Sequence, residues 1–486
     1  MHRIAVAARR LAPWALLLPA ILALRVAAQR PEHTPAARDW PQFGLDVASS
    51  GVLDGPTGIT AANLPSLVRR QVQLDGTVDA SPIYLHGVTV NGSPHDAFFV
   101  TTSYGKTIAI DASSGAVLWE YTPSGYASWA GTGQITNSTP AADPDRQHIY
   151  AAAPDGTVQK LAIADGSIVW RTAITLLPDH EKIPSPLRVF RGRVIAVTGG
   201  FLDTPPFQGH VAVLDARTGA LQHVWNSLCS DRAGLIQPAS CPSSLSSIWG
   251  RAGAVIDPAT GNIFVATGNG PYNGRTDWGD SVIELDPDAT EVLANYTPAD
   301  NSALEGENLD LGSASPVLLG TNALAQGGKD TLIRLLRITD ISGGAPHSGN
   351  ELQTVAMPTY NGVIMASAVW RDRGWTWMFT ANNGNTAAWR LGDGQLTLAW
   401  SNATAGTSPV VAGRLLYVYN PNGGLLVYDP RTGTQIANLP CGAGHWNSPI
   451  VIDGRIALPE GNANLHLTSG VLDIWTLPAA GSGVQF

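Results

Sequence analysis

Oxygen-bearing, aromatic and basic residues recur at one kind of place in this chain, at the edges of short apolar runs. Asp79, Asn137, Trp249, Asp310 and the run His445-Trp446-Asn447 stand just ahead of apolar runs, several of which open with Ser-Pro. Tyr104, Asp155, Asp203, Asn269, Lys329, Asn383, Asn420 and Glu460 stand just after the run that follows. Carboxylate and amide oxygens are the ligands a hard cation such as calcium takes. An indole face is a stacking partner for a flat organic molecule. An ammonium group stabilises a carbonyl oxygen that gains electrons. The same residue types also cap turns, which is the structural reading of any one of them. The sequence has no His-x-x-x-His or Cys-x-x-Cys spacing of the kind that holds zinc.

The apolar runs belong to a repeat. One copy reads SPIYLHG…DAFFVTTSYGKTIAIDASSGAVLWEY (81–121), and another reads SPLRVFRGRVIAVTGG…HVAVLDARTGALQHVW (185–225). Further copies cover 138–170, 253–296, a stretch from Ser315, 367–400, 408–439 and 448–477. Each combines a first strand often opened by Ser-Pro or Thr-Pro, a second ending in small or polar residues, a third ending near Asp, and a Gly turn. A last apolar strand, often with Trp, follows. Spacing of about 40 to 60 residues is that of propeller blades, so the expected fold is all-β. It is an eight-bladed β-propeller of four-stranded antiparallel blades, with seven blades or a tandem of β-sandwiches as alternatives. A lone blade cannot bury both faces, whereas a ring of blades can. The eighth copy stops after its third strand. LVRRQVQLDG (67–76) precedes the first blade without partners of its own and is expected to supply the missing outer strand. Alternating strand direction puts residues ahead of each first strand and after each second strand at the same mouth of the channel. The two sets above therefore form one polar ring.

Bulk properties agree. Only 14% of residues are charged, and 52 Gly, 34 Pro and 15 Trp favour short strands joined by tight turns. A net charge of −9 argues against nucleic acid as a partner. Arg3, Arg9 and Arg10, the apolar stretch 11–24 and the small residues Val26-Ala27-Ala28 read as a signal peptide over 1–28. Export to the periplasm or outside the cell is expected, with no membrane span after cleavage. An N-terminal extension (29–64), the propeller (65–478) and a short tail (479–486) follow. In an oxidising compartment Cys229 and Cys241 are placed to form a disulfide, leaving Cys441 over.

DASSGAVLW and DARTGALQHVW resemble the repeat signature of the pyrroloquinoline quinone (PQQ)-like β-propellers, the quinoprotein alcohol dehydrogenase-like superfamily, and DWPQFGLD (39–46) resembles the segment that often opens them. The resemblance covers nearly the whole chain after residue 28. It implies PQQ and calcium as cofactors. IDPATGNIFVATGNG (256–270) is similar to the segment whose last Asn binds calcium, here Asn269. NLDLGSASPVLL (308–319) is similar to the segment carrying the catalytic base, Asp310 or, in another register, Asn308. GGKD (327–330) is similar to the segment whose basic residue contacts PQQ, here Lys329. Trp249 and Trp446 would stack on the cofactor, and Asp203 is the acid nearest to the position of a second calcium ligand. Three features depart from the dehydrogenase pattern: no two cysteines are adjacent, no Glu stands clearly at the second calcium position, and Trp249 lies far from Asp257. The implied activity is oxidation of an alcohol or sugar with an external electron acceptor. The alternatives are a non-catalytic scaffold for a protein or peptide partner, as in outer-membrane assembly propellers, and a propeller holding a carbohydrate or metal ion.

Overall fold

Each repeat folds into a twisted four-stranded antiparallel sheet whose inner strands are apolar on both faces. In the seventh blade every residue of the second and third strands, Leu415–Tyr419 and Leu425–Tyr428, is buried, while the outermost, Gln435–Leu439, is open to solvent over most of its length. The computed structural model describes residues 38–341, 348–360 and 362–478. Among these, eight such sheets form a ring, an eight-bladed β-propeller. The innermost strands of blades 1 to 8 are, in order, Ile83–Val90, Ala141–Ala142, Arg188–Phe190, Val255–Ile256, Val317–Leu318, Ala368–Asp372, Val410–Ala412 and Ile450–Ile452.

The Gly turn and the Trp of the repeat have a joint physical reason. Asp111, Asp215 and Asp429 each accept backbone N–H groups two and three residues on, closing the turn. The glycine that ends the turn sits in the left-handed region, as at Gly219 (φ 74°). The Trp of one blade's outer strand lies on the next blade's glycine. Trp119 covers Gly166, Trp170 covers Gly219 and Trp400 covers Gly433, where a Cβ would lie 2.5–2.6 Å from the indole. Each indole N–H also donates to a carbonyl of that neighbouring turn, Trp119 to Ile163 O at 2.8 Å and Trp400 to Pro430 O at 2.9 Å. The signature residues thus rivet one blade to the next.

Ring closure follows the sequence expectation. Val68–Leu74 pairs antiparallel with Gly470–Thr476 over its whole length and completes blade 8. Arg69 of this strand bonds Asp473 and Glu460, each at 2.8 Å.

The residues ahead of that strand are no loose extension. Trp40 exchanges backbone hydrogen bonds with Tyr84 of blade 1, and Ala142 N of blade 2 donates to Pro41 O. Arg188 of blade 3 donates to Phe43 O, Ile256 N of blade 4 to Val47 O, and Val369 N of blade 6 to Ser50 O. Val52–Leu53 then adds a parallel strand to Val411–Ala412 of blade 7, and Gly454 N of blade 8 donates to Thr57 O. The segment circles the inner edges of the blades before joining the closing strand.

Cys229 and Cys241 form a disulfide, and Cys441 is free. The expected signal peptide and C-terminal tail lie outside the described residues. No described helix is long and apolar enough to cross a membrane.

Candidate functional site

Five of the six residues singled out from the sequence meet at one mouth of the channel. Trp249 lies in the connection leading to Val255–Ile256, and Asn269 follows the next strand, Ile263–Ala266. Asp310 precedes Val317–Leu318, Lys329 follows Ala323–Gln326, and Trp446 precedes Ile450–Ile452. Asp310 is the hub. Its Oδ1 accepts from Asn269 N at 2.7 Å, and its Oδ2 pairs with the Lys329 ammonium. The Lys329 Nζ lies 5.2 Å from the centre of the Trp249 ring. Asn308, the other register for the base, instead receives a 2.8 Å hydrogen bond from the Asn269 amide, so Asp310 is the residue paired with Lys329.

Backbone packing without side chains makes this approach feasible. A Cβ on Gly268 would lie 2.6 Å from Asp310 Oδ1, and one on Gly312 would overlap the backbone of Thr267 and Gly268. Position 312 therefore requires glycine, and a side chain at position 268 would push the Asp310 carboxylate aside. Gly268 N donates to Ser247 O at 2.8 Å, which ties this wall to the segment carrying Trp249.

The electrostatics are those of a carboxylate cluster short of cations. Asp280 is buried; its Oδ1 accepts from Leu311 N at 2.9 Å, while its Oδ2 has no protein partner. Burial, with Asp310 and Glu305 as like charges nearby, pushes its carboxyl up to about 7. Glu305 Oε2 accepts from Gly270 N. The Asn269 Oδ1 is also buried without a partner, because its amide nitrogen is the end that bonds Asn308. Unpaired buried oxygens beside carboxylates are the donor chemistry of a hard divalent cation.

Asp203 stands apart. It lies on an exposed loop with φ 50°, and among the described residues it makes no hydrogen bond to Asn269 or Asp310. Trp446 joins Trp249 directly. Its ring stacks on Trp249 at 5.8 Å between centroids and 25° between planes, with His445 stacked on it at 4.4 Å. The two indoles make one continuous surface, with no gap for a third ring between them. The backbone of this loop is fixed: Asp79 accepts from His445 Nδ1 at 2.7 Å and Trp446 N at 2.9 Å, and Arg251 Nε donates to Trp446 O at 3.0 Å. Asp280 and Glu305 escaped the sequence reading, which took residues next to the starts of first strands and the ends of second strands; Glu305 lies further back, in the helix Asn301–Glu307. Asp280 stands two residues ahead of the third strand of blade 4, Val282–Leu285, at the same mouth.

The chain has counterparts in sequence and fold. A family model described as outer membrane protein assembly factor BamB matches residues 69–232. The chain is 27% identical over 319 residues to a quinohemoprotein alcohol dehydrogenase of Comamonas testosteroni, covering 59% of this chain and 42% of that protein. It is 21% identical to a polyvinylalcohol dehydrogenase of Sphingopyxis sp. (strain 113P3), over 92% of this chain and 76% of that one. Among solved structures, the quinohemoprotein alcohol dehydrogenase ADHIIG of Pseudomonas putida HK5 superposes with a TM-score of 0.69 at 14% identity, covering 91% of this chain and 80% of that one. With its repeat, its eight blades and these relatives, the chain resembles the PQQ-like β-propellers of the quinoprotein alcohol dehydrogenase-like superfamily.

Proposed function

We propose that this propeller is an exported dehydrogenase that oxidises a hydroxyl group of an alcohol or sugar, with PQQ and a calcium ion held at the channel mouth. The observation that carries this reading is the meeting of Asn269, Asp310, Lys329 and Trp249 around one carboxylate. Asn269 would give its unpaired Oδ1 to the metal, with Asp310 beside it. The Trp249–Trp446 surface and the Lys329 ammonium suit a flat, electron-accepting ring that carries negative charge. PQQ, when bound, supplies the acceptor for the hydride that leaves the substrate carbon. Asp310 takes the hydroxyl proton. Its ion pair with Lys329 and the Asn269 N–H hold the carboxylate in place, the positioning a general base requires. Electrons then pass to an external acceptor. Asp203 lies outside this group of residues.

The test is dye reduction by the full chain reconstituted with PQQ and calcium, across a panel of alcohols and sugars. Turnover is expected, and Asp310→Asn should lower it by about 10²–10⁴ while the fold is kept. Absence of turnover with every substrate, or full activity in the variant, contradicts the assignment.

A second reading, a scaffold for a protein or peptide, is favoured by apolar side chains at the rim. Leu202, Leu465 and Leu467 are 67%, 62% and 52% exposed, on loops that approach one another near Gly133. It predicts a stable protein complex and no turnover.

A further inference from the structure

The chain has four lysines, and three are paired: Lys106 with Asp75 and Glu120, Lys160 with Asp143, and Lys329 with Asp310. Lys182 has no ion pair and no hydrogen bond from its amine among the described residues. Its place is fixed. Glu181–Lys182 pairs antiparallel with Gly199–Gly200 just ahead of blade 3, and strand alternation sends the two side chains opposite ways. Glu181 turns into the blade, where it is fully buried and accepts from Gln208 N at 2.9 Å, with His210 Nε2 at 3.3 Å. Lys182 therefore turns away from the blade interior, its Nζ 5.9 Å from the Phe201 ring.

The two carboxylates that act on Lys182, Asp79 and Asp203, do so only at a distance. Asp79 is already engaged by His445, Trp446 N, Ala463 N and Asn137. Burial pulls the amine down to about 8, which is the behaviour of a cation set in a protein wall without its counter-ion. The same region holds a second under-used cation. Arg251 is 3% exposed; its Nε and Nη1 donate to Trp446 O and Asn137 O, while its Nη2 has no partner. Lys182 stands just ahead of the first strand of blade 3, Arg188–Phe190, and so shares the channel mouth with Trp446, ahead of the first strand of blade 8, and with Lys329, which follows the second strand of blade 5.

Resting on the proposed function, we infer that Lys182 is an anion anchor, binding a carboxylate of the molecule that lies on the Trp249–Trp446 surface while Asp310 and Lys329 hold its other end. The carboxylate belongs to the cofactor, since PQQ carries several, or to a hydroxy-acid substrate. Binding of PQQ to the full chain, read by tryptophan fluorescence with Lys182→Met and Lys182→Arg, separates these. A cofactor carboxylate predicts a Kd at least about tenfold weaker in Lys182→Met and largely restored in Lys182→Arg, as expected for loss of a charge-assisted hydrogen bond. A substrate carboxylate predicts unchanged PQQ binding, with KM raised about tenfold for an ω-hydroxycarboxylate and not for the uncharged alcohol of equal length. A third arm needs no cofactor: labelling of lysines by an amine-reactive ester, mapped by mass spectrometry, with and without the hydroxycarboxylate. Protection of Lys182 by the acid but not by the alcohol sustains the anchor even if PQQ does not bind, in which case only the dehydrogenase reading falls. Unchanged PQQ affinity and KM in Lys182→Met, together with no protection in the wild type, overturn the anchor.

Discussion

Asp310 has two faces in the site, each committed to a different partner. Its Oδ1 is reached by a backbone N–H that only a glycine-flanked turn can bring close, and its Oδ2 is reached by Lys329. Gly268→Ala places a methyl group 2.6 Å from Asp310 Oδ1, closer than the two atoms can pack. The expected outcome is a protein that keeps its circular dichroism and loses most of its turnover, because the carboxylate is displaced from Asn269. Undiminished turnover would mean that this geometry is not the working one. Residue types at this scale were largely legible. Asn269, Asp310, Lys329 and Trp249 could be found because each sits at a fixed offset from a strand end, and strand ends are what the repeat specifies. Asp203 and Trp446 were less so. Their positions depend on loop conformation, which has no periodicity to read, and a stacked indole pair looks in sequence like two separate tryptophans.

Strands gain their stability from neighbours in adjoining blades as much as from their own sheet. Trp119 is 8% exposed, covers Gly166 of the next blade and donates to Ile163 O. Trp119→Ala should cost about 3–5 kcal/mol, the range for removing a large buried aromatic, and lower the denaturant midpoint accordingly. A loss within experimental error would show that the blades hold together without this contact. The blade pattern was legible because Asp, Gly and Trp do the same work in copy after copy. The course of the segment from Trp40 to Leu53 was not. It touches most blades at one short stretch each, and a one-off path leaves no repeat in the sequence.

Across the molecule, closure depends on the N-terminal part of the propeller. Val68–Leu74 completes blade 8, and the residues ahead of it bond blades 1, 2, 3, 4, 6, 7 and 8 along the inside of the ring. A chain beginning at residue 77 lacks both. It should lose cooperative unfolding and expose the unpaired edge of Gly470–Thr476, an aggregation-prone strand edge. Adding a peptide of residues 38–76 in trans is expected to restore a monodisperse particle in light scattering. Equal stability of the shortened chain would show that the ring closes by other contacts.

The ring exists to bring loops of separate blades to one mouth, and the central claim is that this mouth binds a quinone cofactor through Asn269, Asp310 and Lys329. The most direct measurement is a titration of the full chain with PQQ in the presence and absence of calcium, following tryptophan fluorescence, for wild type and Asn269→Ala. Saturable quenching that requires calcium in the wild type and weakens at least about tenfold in the variant is the predicted result. Quenching that does not saturate, or that is the same in both proteins, would contradict it.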